Sequence, residues 1–142
     1  MLVRDLMTSP AVTAPPALSL PDAAHLMKTR GIRRLPVVDE AGHLVGIVTD
    51  RDLREALPSK MSTLSPWEAT TRLAAIKVTD VMRRSVLTVA EDTDARDAAY
   101  TMLHHRVGAL PVVDASGQLS GLITVTDVLR DYAREPVEGG SA

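Results

Sequence analysis

Apolar residues recur along this chain in two rhythms, and each rhythm occurs twice. "LPVV" (35–38) and "LVGIV" (44–48) are short runs rich in β-branched residues, joined by "DEAG" (39–42). "LPVV" (110–113) and "LSGLI" (119–123) repeat them around "DASG" (114–117). An Asp-x-x-Gly loop between two such runs predicts a β-hairpin. Ahead of each hairpin the spacing changes to that of a helix. Ala23, Ala24 and Met27, and then Ala98, Ala99 and Met102, fall on one helical face. Ser19 and Asp94 stand where N-caps belong, with Asp22 and Asp97 three residues on. Gly31 is placed to close the first helix, and Arg106 takes its place in the second. Short extended pieces (11–14 and 86–89) precede these helices, and further helices start at Asp50 and Val125. The predicted order is β-α-β-β-α, twice, an α/β (α+β) arrangement.

A shift of 75 residues, which carries Pro36 onto Pro111, aligns the halves without a gap from Val3 to Arg54. "VRDLM" (3–7) meets "VTDVM" (78–82), "DAAHLM" (22–27) meets "DAAYTM" (97–102), and "LPVVDEAGHLVGIVTDRD" (35–52) meets "LPVVDASGQLSGLITVTD" (110–127). Such self-similarity marks a duplicated supersecondary unit. Neither half is long enough to cover both faces of its own sheet. The expected solution is two copies related by a pseudo-two-fold axis, with a cleft between like elements. The boundaries are repeat 1 at 1–57, a linker at 58–76, repeat 2 at 77–133, and a disordered tail at 134–142. In the linker, "SPWE" (65–68) is a capping box with Pro at the first helical position, so a helix is expected over 66–76. Its Trp67 has two readings: a cover for exposed core, or a dimer contact or lid.

Composition narrows the class. The 142 residues are 45% hydrophobic and 24% charged, as in an ordinary soluble domain, but only 2% aromatic, so Val, Leu, Ile, Ala and Met must build the core. A net charge of −2 argues against broad nucleic-acid binding. No cysteine is present, which excludes disulfides and thiolate chemistry. The N-terminus lacks the apolar stretch of a secretory signal, and no run approaches a membrane span. A cytoplasmic location is expected.

Both halves retain Thr-x-x-Asp at the strand-to-helix junction: Thr49 with Asp52, and Thr124 with Asp127. Helix capping alone would account for this through about 1 kcal/mol per cap. Glu or Gln is the usual partner in that role, and Asp, being shorter, is expected to reach the cap amide less well. The same geometry suits a ligand. A helix N-terminus favours phosphate, a threonine hydroxyl can bond a phosphate or sugar oxygen, and a carboxylate one turn on can accept from two ribose hydroxyls. Arg33 and Arg34 stand directly before "LPVV" in the first half, where the second half has Gly108 and Ala109. Arginine is the residue best shaped for phosphate. Two unequal sites are expected, one basic and one small and neutral.

The doubled pattern of "VxDhM", "GIRRLPVVDEAGHLVGIVTDRDL" and "RVGALPVVDASGQLSGLITVTDVL" resembles the CBS domain pair, or Bateman module, over 1–133. The resemblance implies tandem CBS repeats packed by pseudo-two-fold symmetry into one module that binds an adenosine nucleotide. It implies that Asp52 and Asp127 hold ribose, with Thr49 and Thr124 near the phosphates. It places Val12, Thr13, Ala14, Ile32 and Pro36, and Val86, Leu87, Thr88, Val107 and Pro111, around adenine. Arg33 and Arg34 match the phosphate-contacting place that precedes the same leucine in the nucleotide-sensing subunit of AMP-activated protein kinase. The layout is similar to stand-alone bacterial CBS pairs of the acetoin-utilisation type.

The expected function is regulatory. AMP, ADP or ATP, ahead of S-adenosylmethionine or NAD, binds a homodimer of CBS pairs that signals to a partner in trans. The alternative is a dimerisation scaffold with vestigial sites. Catalysis is not expected: His25, His43, His104 and His105 form no metal-ligand spacing, and the chain has no Walker loop or Gly-x-Ser-x-Gly elbow. Arg30, Arg33, Arg34, Arg83 and Arg84 could form basic patches, but stacking platforms for nucleic acid are missing.

Overall fold

The computed structural model describes residues 1–56 and 65–134. In chain order the elements are α1 (Val3–Leu6), α2 (Leu20–Arg30), β1 (Arg34–Val38), β2 (Leu44–Thr49), α3 (Asp50–Glu55), α4 (Pro66–Ala75), α5 (Val78–Val81), β3 (Val89–Ala90), α6 (Ala95–His105), β4 (Ala109–Val113), β5 (Leu119–Thr124) and α7 (Val125–Ala133). The α-β-β-α part of the predicted β-α-β-β-α order is present in both halves, the opening strand is present only in the second, and the sequence pattern does not predict the short helices α1 and α5. The second repeat opens with the strand β3, parallel to β4 through Val89↔Val112 and Ala90↔Val113. The first has only a single parallel bridge, Ala14↔Val37. Pro15 and Pro16 follow Ala14 and carry no N–H, so that ladder cannot be extended.

The chain divides into two compact units, and they do not follow the sequence repeats. One runs from Val12 to Val86; the other joins Met1–Ala11 to the chain from Leu87 onward. Each repeat has therefore exchanged its opening segment. In the first unit, Val78 N–H donates to Leu18 O at 2.8 Å, Leu20 N–H to Ile76 O at 3.0 Å, and Ile47 and Arg83 exchange both backbone bonds at 3.0 and 2.9 Å. In the second, Val3 N–H donates to Thr93 O at 2.8 Å, Ala95 N–H to Met1 O at 2.8 Å, and Thr8 and Leu122 exchange bonds at 2.9 and 3.0 Å.

Each unit has its own core. Leu35, Val37 and Val48 from the hairpin meet Ala23 and Met27 of α2 and the exchanged Val78 and Met82. In the other unit Leu110, Val112 and Ile123 meet Ala98 and Met102 of α6 and the exchanged Val3. The hairpins are antiparallel with matching registers, Leu35↔Val48 and Leu110↔Ile123, and matching bulges at Val37/Val38 and Val112/Val113. Strand alternation sends Leu35 and Val37 inward and leaves Arg34 and Pro36 on the opposite face. Burying each large core side chain contributes about 1.5–3 kcal/mol.

The turns are held as the sequence predicts. Asp39 Oδ1 accepts from Ala41 N–H (3.0 Å) and His43 N–H (2.9 Å). Asp114 Oδ1 accepts from the Ser116 hydroxyl (2.6 Å) and the amides of Ser116 (2.9 Å) and Gln118 (3.0 Å). The Ser116 hydroxyl bond leads in holding the Asp114 carboxyl below its usual range. The second hairpin therefore gains from the ionised form above the ordinary aspartate range, and loses that gain as pH falls through the lowered value. Ser19 caps α2 through Asp22 N–H (3.3 Å), whereas Asp94 caps α6 through Arg96 N–H (2.8 Å).

Helices α2 and α6 end on left-handed residues, Gly31 at φ 64° and Arg106 at φ 56°. Glycine adopts that conformation freely and arginine does not. Arg106→Gly is expected to stabilise the protein by about 0.5–1 kcal/mol, less the entropy that glycine adds to the unfolded chain. Thermal unfolding measures it, and an unchanged or lowered midpoint would count against the strain.

Two expectations about the linker fare differently. Ser65 caps α4 through Glu68 N–H (3.2 Å) as predicted, but the box does not close: Glu68 Oε1 accepts from the Ser65 hydroxyl (3.0 Å) and not from its backbone N–H. Trp67 does not cover the core: it is 78% exposed, and Ile76, not the indole, packs against the first unit's core cluster. Residues 57–64 lie outside the described residues, as does the tail expected to be disordered, apart from Arg134 at the end of α7.

Candidate functional site

The two Thr-x-x-Asp junctions have the same internal geometry. Thr49 Oγ1 accepts Asp52 N–H at 3.1 Å, and Asp52 Oδ2 accepts Thr49 N–H at 3.0 Å. Thr124 and Asp127 make the same pair at 3.1 and 2.9 Å. The expectation that aspartate reaches the cap amide poorly is corrected here, because both carboxylates complete a reciprocal capping box. Among the described residues Asp52 and Asp127 are the two buried charged side chains, 9% and 7% exposed. A buried carboxylate needs partners for both oxygens. The cap uses Oδ2 and leaves Oδ1 for something else.

What Oδ1 meets differs between the units. Asp52 Oδ1 accepts from Arg83 Nε at 3.3 Å and Arg83 Nη2 at 3.2 Å. Asp127 Oδ1 accepts from Arg130 Nη1 of its own helix at 3.4 Å. Sequence reasoning assigned Arg83 only to a surface basic patch. The signal that could have singled it out is the repeat itself, which aligns Arg83 with Thr8.

Strand alternation shows which predicted residues come together. Arg34 lies directly across the ladder from Thr49, and Pro36 from Ile47. Ile47 in turn lies opposite Arg83. Directly opposed antiparallel residues share a face, as do residues two apart in one strand. Arg34, Pro36, Ile47, Thr49 and Arg83 therefore share the face opposite Leu35, Val37 and Val48. The matching positions in the other unit are Ala109, Pro111, Leu122, Thr124 and Thr8. Two arginines, Arg34 and Arg83, stand on one face and none at the corresponding places on the other, whereas the expected pair of Arg33 with Arg34 is not brought together on it.

Arg33 is placed differently from Arg34. It precedes β1, is exposed, and its carbonyl accepts Asp50 N–H at 2.9 Å. With Ile32, Ala24, Met27, Lys28 and Asp50 it lines a groove of about 390 Å³ between α2 and α3. The corresponding groove of about 430 Å³ between α6 and α7 is largely apolar, with Met102, Leu103, Val107, Val125, Val128 and Leu129 beside Arg106.

Of the residues expected around adenine, Val12 and Ile32 pack partly against the first unit's core, and Thr13 is half-buried. Ala14 is 1% exposed, and Pro36 and Pro111 are fully buried, so these three back a surface and do not form one. Val107 packs against the second unit's core, and Leu87 and Thr88 are exposed. Val86 belongs to the other compact unit. Among the described residues no cluster of His, Asp or Glu is arranged to hold a metal ion, and no helix is long and apolar enough to cross a membrane.

The sequence model of the CBS domain matches residues 3–59 and again 78–134. The chain belongs to the CBS domain family. It is a CBS pair, and its helices and two small sheets are the α+β architecture of that module. A CBS domain-containing protein of Dictyostelium discoideum is 36% identical over 129 residues, which are 91% of this chain and 89% of that one. An uncharacterised protein of Methanocaldococcus jannaschii is 35% identical over 133 residues, 93% of this chain but 47% of that one. The chain spans only 22% of the inosine-5'-monophosphate dehydrogenase of the same organism, at 33% identity.

Solved CBS pairs match over nearly the whole chain. CBSX2 of Arabidopsis thaliana in complex with AMP has a TM-score of 0.77 and 32% identity, covering 92% of this chain and 95% of that one. The CBS pair of protein MJ0100, in complex with 5'-methylthioadenosine and S-adenosyl-L-methionine, gives 0.76 and 30%, covering 93% and 95%. A candidate acetoin utilization protein (AcuB) of Vibrio cholerae gives 0.77 and 33%, covering 93% and 91%, in line with the acetoin-utilisation likeness read from the sequence.

Proposed function

We propose that this CBS pair is a regulatory sensor of an adenine nucleotide, read by Asp52 with Thr49 and by Asp127 with Thr124. One observation carries the reading: each repeat buries a carboxylate, commits one oxygen to the backbone, and holds the other toward a side chain and not toward the fold. A ribose diol is a donor pair suited to that second oxygen. Arg34, across the ladder from Thr49, supplies a forked donor for phosphate. AMP, ADP or ATP therefore suits the first repeat. Ala109 and Gly108 suit a ligand with an uncharged tail in the second. Val12, Thr13 and Ile32 in one unit, and Leu87, Thr88 and Val107 in the other, supply the apolar and backbone surroundings of adenine, each for its own repeat, with Ala14, Pro36 and Pro111 behind them. That related CBS pairs were solved with AMP and with S-adenosyl-L-methionine supports this ligand class.

The role is regulatory and not catalytic. Binding stabilises one arrangement of a homodimeric module, and a partner protein in trans reads it by population shift. Isothermal titration with AMP, ADP, ATP, S-adenosylmethionine and NAD tests this, alongside Asp52→Asn and Asp127→Asn. Asparagine keeps an acceptor for the cap but turns a donor outward. Each variant is expected to lose about 10-fold to 100-fold in affinity at its own repeat, the range for a hydrogen bond to a charged group. The complete capping boxes favour a second reading, a scaffold whose aspartates only cap. Variants that bind every ligand as the wild type does would establish it.

A further inference from the structure

We propose that Arg83 sets the ligand specificity of the first repeat, by competing with ribose for Asp52 and then turning to phosphate. The inference rests on the nucleotide reading above and adds a residue which that reading does not require. Both Nε and Nη2 of Arg83 bond the same oxygen, Asp52 Oδ1, at 3.3 and 3.2 Å. That is the oxygen the capping box leaves over. The carboxylate is buried, with its side chain 8% exposed, while the arginine side chain is 64% exposed. The anion is therefore fixed and the cation can swing away. Its backbone stays where it is, because Arg83 and Ile47 exchange two hydrogen bonds.

A ribose hydroxyl can reach Asp52 Oδ1 only by displacing the guanidinium. An adenosine compound without phosphate gives the displaced cation nothing in return. A phosphorylated nucleotide gives it a replacement anion, on the face that already carries Arg34. The second repeat has Thr8 at the place of Arg83, and Asp127 Oδ1 accepts from Arg130, one turn along α7, at 3.4 Å. Discrimination for phosphate therefore belongs to the first repeat alone. Arg83 has two states, paired with Asp52 in the empty site and with phosphate in the filled one.

The test is titration of the full chain with AMP and with adenosine, in an Asp127→Asn background that isolates the first repeat. Arg83→Met keeps most of the aliphatic stem and removes the charge. It is expected to bind adenosine about 10-fold more tightly and AMP about 10-fold more weakly, each change being of the size of one charge-assisted bond. Arg83→Thr, the residue of the other repeat, should do the same, and Arg83→Lys should fall between. An AMP-to-adenosine ratio unchanged in Arg83→Met and Arg83→Thr overturns this role and leaves the nucleotide reading standing. Failure of the wild-type first repeat to bind either compound overturns both.

Discussion

Replacing Val3 by aspartate is expected to strip hydrogen-exchange protection from α6, β4 and β5, and to leave β1 and β2 the better protected hairpin. Val3 belongs by sequence to the first repeat, but its side chain is fully buried among Ala98, Met102, Leu110, Val112 and Ile123. An unpaired carboxylate in that apolar cluster costs several kcal/mol, against a total stability of about 5–15 kcal/mol for a domain. The loss should begin where the charge sits. Val78→Asp is the mirror experiment: Val78 is buried with Leu35, Val37 and Val48, so it should expose α2, β1 and β2 first. Protection lost first from the mutated residue's own repeat, in either case, would refute the exchange of opening segments.

That exchange marks where the sequence stops being legible. The repeat, the hairpins, the caps at Ser19 and Thr49, and the left-handed ends at Gly31 and Arg106 are all local, fixed by residues within a few positions of one another. Each could be read from spacing. "VRDLM" and "VTDVM" are equally apolar at the same positions, so nothing in them says which core Val3 or Val78 joins; chain connectivity in three dimensions decides that. Trp67 was misleading for a related reason. A large aromatic suggests burial, but Ile76 already makes the contact of this linker with the core, and the indole is left in solvent. At the site, Thr49, Asp52, Thr124 and Asp127 were legible as a recurring motif, and the contrast of Arg33 and Arg34 with Gly108 and Ala109 as an asymmetry. That Arg34 shares the Thr49 face while Arg33 lines the α2–α3 groove follows from where β1 begins, which spacing fixes only to within a residue or two. Arg83 is visible in the sequence only as a departure from Thr8 in the other repeat; its pairing with Asp52 is not, because that depends on the exchanged segment closing against β2.

Gly46→Ala is expected to destabilise this CBS pair by about 1–3 kcal/mol, the usual range for overpacking a close contact. A Cβ at Gly46 would lie 2.5 Å from Met82 Sδ and 2.9 Å from the Arg83 carbonyl oxygen. The methionine can move aside. The carbonyl cannot, unless the Ile47–Arg83 backbone pair opens. Gly121→Ala meets the same obstacle, 2.7 Å from the Thr8 carbonyl oxygen and 2.8 Å from Met7 Sδ, and should cost a similar amount. Urea unfolding should show lower midpoints at an unchanged slope, and midpoints like the wild type's would mean these segments can give way freely. The two variants should part company in ligand binding. Forcing the exchanged segment off β2 in Gly46→Ala pulls Arg83 away from Asp52 Oδ1, so the preference for AMP over adenosine should fall with the stability. In Gly121→Ala the displaced residue is Thr8, which carries no charge, so stability should fall with no change in that preference. Equal shifts in preference for both would tie selectivity to general loosening and not to Arg83.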